Sequence, residues 1–384
     1  MLRKFSLWLH KWLGLVTGLV IFIVSITGCI YVFYDELKII TYPDRFLIGE
    51  PSNPQVTPKP LTELFAIADA ALPEGEKVNR VDIYPAKNRT WVFRAMKLDQ
   101  NKILYSDQTV YHKRVYINPY SGRVQFVENS KNEFFQLMLQ LHRTLLLGTA
   151  GQMIVAVSTV IFLLLCFSGL ILWWPTKWKK KMVKKAVWVN YSVKWKRLVY
   201  DLHNVLGFQT LIFAVIIAFF GLTFSFAGLK KFSAELLNSK TELKDNQDDE
   251  RLKRTLRLQG GNILDKAVFT ALRLHPNADQ LSVRLREPDE DQDVQVRMEE
   301  NKTGVFKKYA FNQQSGKLSD VKSSDNLKAG DYLMSQNFDL HTGSIGGLPT
   351  KILAFIVSLV CASLPVTGTI VWWNKRPKGR RPGP

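Results

Sequence analysis

Four stretches of the chain are apolar almost without interruption: Trp12–Tyr34, Gly151–Trp174, Val205–Leu229 and Ile352–Trp373. Each supplies about the ~20 residues that a helix needs to cross a ~30 Å hydrocarbon core. The pattern between them is different. Residues 61–71 place Leu61, Leu64, Phe65 and Ala68 on one helical face. The chain then turns to period-two alternation around Trp91–Arg94 and Arg114–Asn118, and closes with the turn Asn118-Pro-Tyr-Ser-Gly122. The scheme recurs later as a helix near Ile263–Leu274, strands near Leu281–Leu285 and Val294–Met298, and the turn Asn312-Gln-Gln-Ser-Gly316. The expected fold is a membrane four-helix bundle built from two parallel repeats, with two extracytoplasmic α+β modules.

The repeat is exact in its spacing. His10 is followed by Gly14, Thr17 and Gly28, and His203 is followed at the same intervals by Gly207, Thr210 and Gly221. His142 precedes Gly169 and Trp173-Trp174 as His341 precedes Gly368 and Trp372-Trp373. The halves, roughly 1–185 and 196–384, have the same orientation, which implies a pseudo-two-fold axis along the membrane normal.

The formal charge of +19 raises the question of nucleic acid, and the placement of the charge answers it. The stub 1–11, the loop 175–198 and the tail 374–384 hold 17 basic residues and no Asp or Glu. Basic residues gathered at span ends follow the positive-inside asymmetry, so these segments are expected in the cytoplasm and nucleic acid is not an expected partner. The expected order is stub 1–11, span 12–34, external domain 35–135, interfacial helix 136–150, span 151–174, basic loop 175–198 and span 199–229. It continues with external domain 230–335, interfacial segment 336–348, span 349–373 and tail 374–384. The first span is longer than a signal-peptide core and is expected to remain as an anchor. Cys29, Cys166 and Cys361 all fall in spans, so neither a disulfide framework nor a thiolate metal site is indicated.

Four of the six histidines occupy repeat-related span ends. His10 and His203 are expected at the cytoplasmic side, His142 and His341 at the external side. Parallel symmetry puts each pair at one depth, the arrangement that two axial ligands of one haem iron require; a purely interfacial role for duplicated polar residues is the alternative. Gly14 and Gly207, one turn along from their histidines, are candidates for packing on a haem edge. Gly28, Gly169, Gly221 and Gly368 are assigned to close helix packing, the Trp pairs to interfacial anchoring, and His112 and His275 to the surface. No ionisable residue lies in the middle of a span, which argues against a transport pathway. From His142 to Trp174 is 32 residues, about 48 Å of straight helix, too long for the core. A break is expected at Gly148–Gly151, and its counterpart at Gly343–Pro349.

The opening Leu9-His10-Lys-Trp-Leu-Gly14-Leu, the exit Gly169-Leu-Ile-Leu-Trp173-Trp174 and the two Ser-Gly turns resemble the PepSY-associated transmembrane family over nearly the whole chain. That resemblance implies a bacterial inner-membrane protein of iron uptake. It also implies two non-covalent b haems on His10, His203, His142 and His341, and reduction of an external ferric siderophore or other ferric chelate by an unidentified cytoplasmic or membrane donor. No catalytic residue beyond the haem ligands is expected. The alternative is a non-enzymatic sensor or scaffold whose external modules bind a peptide or envelope partner.

Overall fold

The computed structural model describes residues 1–51, 53, 55–175, 179–238 and 247–375. Lys177 and the tail cations Arg376, Lys378, Arg380 and Arg381 lie outside the described residues, as do residues 239–246 of the charged stretch 238–258, which reads from sequence as a solvated linker or helix face. In chain order the first half contains α1 (Leu2–Val32), α2 (Tyr34–Thr41), α3 (Pro43–Phe46), α4 (Leu61–Ala70), β1 (Arg80–Ile83), β2 (Trp91–Leu98), α5 (Tyr105–Gln108), β3 (Thr109–Ile117) and β4 (Val124–Asn129). It ends with α6 (Phe134–Thr144), α7 (Gly148–Trp173) and α8 (Lys180–Val187). The second half contains α9 (Trp195–Ser225), α10 (Ala227–Asn238), α11 (Gln247–Thr255), α12 (Ile263–Leu274), β5 (Gln280–Arg284), β6 (Gln292–Glu299), β7 (Lys302–Phe311) and β8 (Leu318–Ser323). It closes with α13 (Ala329–Ser335), α14 (Asn337–Thr342) and α15 (Leu348–Asn374). The chain divides into two compact units.

The first unit comprises residues 1–32, 138–226 and 340–384. Its helices α1, α7, α9 and α15 are each long and apolar enough to cross a membrane. They pack in a closed order: α1 against α7 and α15, and α9 against the same two. Thus α1 and α9 stand diagonally opposed. The break expected near Gly148–Gly151 lies just before it. Leu145 and Leu146 take left-handed backbone angles of 50° and 61°, and α7 begins at Gly148. Left-handed leucines are strained, so the sequence offers no cue for a break at these positions. In the second half Gly343 and Gly347, both at positive φ, make the same redirection before α15, with Pro349 in its first turn.

The second unit comprises residues 33–137 and 227–339. Two separate modules are expected from sequence, but the strands form one antiparallel eight-stranded sheet of order β4-β3-β2-β1-β5-β6-β7-β8. The join is β1 against β5, with Val81 opposite Val283 and Ile83 opposite Leu281. Both β1 and β5 carry fully buried apolar side chains on one face, and pairing them removes two sheet edges at once. Those residues, with Phe93, Val115, Val294 and Phe311, form one core under α4 and α12. In each set of four strands a Ser-Gly turn joins the third strand to the fourth, and there Gly122 and Gly316 adopt φ of 78° and 66°. Asn118 and Asn312 cap these turns by accepting backbone N–H bonds through Oδ1.

The opposite sheet face is polar. At its β3–β4 end it is covered by α2 and α3, through Phe46, Val92 and Tyr116 packed with Ile39 and Tyr42. Beneath them Glu128 is buried and accepts from Lys38, Arg45, Arg114, Tyr116 and Ser130 at 2.6–3.2 Å. Burial alone raises a carboxyl pKa, but Lys38, Arg114 and the Ser130 hydroxyl outweigh it and hold Glu128 down to about 2. This cover also corrects the expectation for His112. It is 6% exposed, not at the surface, and burial together with the charges of Arg114 and Arg94 lowers it to about 3. His275 is half-buried, with Nε2 2.6 Å from the Tyr309 hydroxyl.

Candidate functional site

The four repeat-related histidines meet in two pairs within the helical unit. The rings of His10 and His203 lie 6.2 Å apart between centroids, and those of His142 and His341 lie 5.9 Å apart. His10 and His203 project from the diagonally opposed α1 and α9, whereas His142 and His341 come from the short helices α6 and α14. Eighteen residues of α1 separate His10 from Gly28, the glycine against which His142 rests, so the two pairs are about 27 Å apart along the helix.

Each imidazole rests on a glycine of another helix. His10 lies on Gly169 of α7 and His203 on Gly368 of α15, while His142 lies on Gly28 of α1 and His341 on Gly221 of α9. A methyl group at these glycines would stand 3.3, 3.2, 3.3 and 2.9 Å from the respective imidazole Cε1. The four glycines that sequence reasoning assigned to helix packing are therefore the seats of the histidines. A methyl group at Gly14 or Gly207, the expected haem-packing pair, would stand 3.9 Å from Leu165 and 3.5 Å from Leu364 respectively, both ordinary contacts. The seats yield a prediction. Gly221→Ala forces His341 to move, and if the His142–His341 couple holds a haem this variant is expected to lose at least half of it, whereas Gly14→Ala meets only ordinary contact and is expected to leave haem content unchanged. Haem per chain in the purified variants checks both.

Hydrogen bonding at Nδ1 orients all four rings. The Nδ1 atoms of His142 and His341 lie 2.9 Å and 2.8 Å from the carbonyl oxygens of Val24 and Ile217. A carbonyl only accepts, so Nδ1 carries the hydrogen in both. His10 Nδ1 lies 3.0 Å from Ser168 Oγ and His203 Nδ1 3.0 Å from Thr367 Oγ1. These hydroxyls already donate to the carbonyls of Leu165 and Ser363, so they too accept from the imidazole. The acceptors follow the repeat: Ser168 and Thr367 immediately precede the seating glycines, and Val24 and Ile217 lie one turn before theirs. In a neutral imidazole whose Nδ1 donates, Nε2 holds a lone pair. That is the form that can ligate a metal, with the bond at Nδ1 holding the ring in orientation.

The donor set selects among metals. The described residues contain no group of three or more His, Cys, Asp and Glu that could hold an ion, so a tetrahedral zinc site does not fit. Two imidazoles suffice for an iron that brings four equatorial nitrogens of its own, as in haem. His10 with His203, and His142 with His341, would hold such a group between facing rings 6.2 and 5.9 Å apart, with Nε2 free to bind it, so the residues fit the group.

Trp173 does more than anchor a span: its ring stacks on Phe208 at 3.5 Å between centroids, and its Nε1 donates to the Ala186 carbonyl. This interaction fastens α8 and the end of α7 to α9.

Comparison of the chain with curated proteins found no match. The family model described as the PepSY-associated TM region matches residues 7–375, and the chain therefore belongs to that family of membrane proteins.

Proposed function

We propose that this protein is a di-haem b electron carrier of the bacterial inner membrane that reduces an external ferric chelate, of the ferric-siderophore class, and so releases iron for uptake. The observation that carries the reading is the pair of facing imidazole couples, each with Nδ1 held as a donor and Nε2 left to ligate. On this reading the helices form a four-helix bundle of two parallel repeats. The termini and the loop between α7 and α9 are cytoplasmic, and the sheet domain is external and built of PepSY-like modules, as the basic span ends indicate. Haem supplies reversible one-electron transfer at a potential set by its bis-histidine ligation. The chain's contribution is to hold one site near each side of the membrane. It keeps the imidazoles neutral and fixed, and surrounds them with apolar helices that exclude water. Each delivered electron takes ferric to ferrous iron, which oxygen-donor chelators hold less firmly. The donor is a cytoplasmic or membrane reductant.

Proteoliposomes with a membrane-impermeant reductant enclosed and a ferric chelate with a ferrous indicator on the opposite side test the reading. The expected result is ferrous iron forming outside only when the protein is present, and falling at least tenfold in His10→Ala. A rate equal to that of empty liposomes, in protein that carries haem, rejects electron delivery across the membrane.

A further inference from the structure

The sheet register places four arginines side by side on the polar face. Arg114 of β3 stands opposite Arg94 of β2, Arg94 opposite Arg80 of β1, and Arg80 opposite Arg284 of β5. Strands lie ~4.8 Å apart, so the row is about 14 Å long. Like charges directly opposite one another destabilise a sheet, and the counter-ions are few. Glu128 is committed to Arg114, Lys38 and Arg45. Asp82, fully buried, is shared by Arg80 and Arg94. Arg284 is exposed and forms no ion pair among the described residues. The next carboxylate along, Asp293 of β6, is already held by Arg286 and Lys308, so the segment Arg94–Arg80–Arg284 carries three positive charges against the one negative charge of Asp82. Its guanidiniums stay accessible, with the Arg80 and Arg94 side chains 38% and 33% exposed. Within the row Arg114 is almost wholly buried, and its Nε and that of Arg94 have no hydrogen-bond partner. The residue pattern hides all of this, because the row exists only once β1 pairs with β5, some 200 residues away in sequence.

We propose that Arg94, Arg80 and Arg284 bind a small anion bearing two or more carboxylates, gripped by guanidinium forks across three adjacent strands. Planar guanidiniums match carboxylates in bidentate geometry, and the row offers several at a spacing that one small polycarboxylate can bridge. Resting on the proposed electron-carrier reading, the anion is the iron acceptor itself. The row then selects negatively charged ferric complexes, such as those of carboxylate chelators, over neutral or cationic ones.

Calorimetric titration of the full-length, detergent-purified protein with iron-free citrate tests the site without involving haem. Citrate is expected to bind with a dissociation constant below about 1 mM, and more weakly as salt is added. Arg284→Gln, at an exposed position, and Arg80→Gln, which leaves Asp82 its partner Arg94, are each expected to weaken it tenfold or more. No citrate binding, or unchanged affinity in both variants, overturns the proposal. Haem content measured on the same samples separates the two readings. Citrate binding in a protein without haem leaves the anion site standing and removes the electron carrier; two haems with no citrate binding do the reverse.

Discussion

If each histidine couple holds one haem, as proposed, replacing either His10 or His203 by Ala is expected to lower the haem content from two per chain to one, and replacing His142 or His341 to do the same at the other pair. The effect is large because each couple has no spare ligand: among the described residues no third His, Cys, Asp or Glu stands close enough to complete a group. Loss of one imidazole would leave a haem bound there with a single protein ligand. Combining His10→Ala with His203→Ala is expected to cost no more haem than either alone, since both act on one site. Combining His10→Ala with His142→Ala is expected to yield a colourless protein. This non-additive pattern within pairs and additive pattern between pairs is a direct reading of which histidines share an iron. Positional support is separable from ligation. Ser168→Ala and Thr367→Ala remove the acceptors at Nδ1 but keep the ligands, so they are expected to retain haem while shifting its potential.

Glu128→Gln is expected to destabilise the sheet unit by about 3–5 kcal/mol, the range for breaking a buried ion network by removing one partner. Lys38 and Arg114 are buried beside it and Arg45 is largely so, and without the carboxylate they face one another with only Glu133 near Lys38. For a unit of this size the loss corresponds to a fall of roughly 10 °C in melting temperature. The same network gives a pH dependence whose sign follows from the carboxyl. Its folded pKa of about 2 lies below the ordinary value of 4.5. The stabilisation is therefore complete above pH 4.5 and is lost as pH falls from there toward 2. Thermal melts followed by tryptophan fluorescence at pH 7 and across pH 5 to 3 check both statements. A Glu128→Gln protein that melts within 2 °C of the parent would show that the cluster contributes little.

The spans were legible because lipid demands long apolar runs, and no tertiary contact is needed to recognise them. The four histidines were legible because the repeat duplicates them in register. Their seats were not. Gly28, Gly169, Gly221 and Gly368 are visible in the sequence, but a glycine that admits a neighbouring helix and one that admits an imidazole look alike until the partner is placed. The Ser168-Gly169 and Thr367-Gly368 dipeptides preceding the Trp pairs were the available cue, since a hydroxyl beside a glycine can both accept from and make room for a ring. His112 was misjudged for a related reason. His112 lies on the polar face of β3 with Arg114, and sequence does not show that α2 and α3 return to cover that face. The arginine row was hidden because register between β1 and β5 joins two halves that read as independent modules.

The account stands most directly on the absorption spectrum of the wild-type protein purified in detergent from haem-replete cells, oxidised and dithionite-reduced, with a pyridine haemochrome assay for stoichiometry. Two b haems per chain with the sharp reduced α-band of bis-histidine ligation are the predicted result. A colourless protein would contradict it, and would return the family fold to the role of a membrane sensor or scaffold.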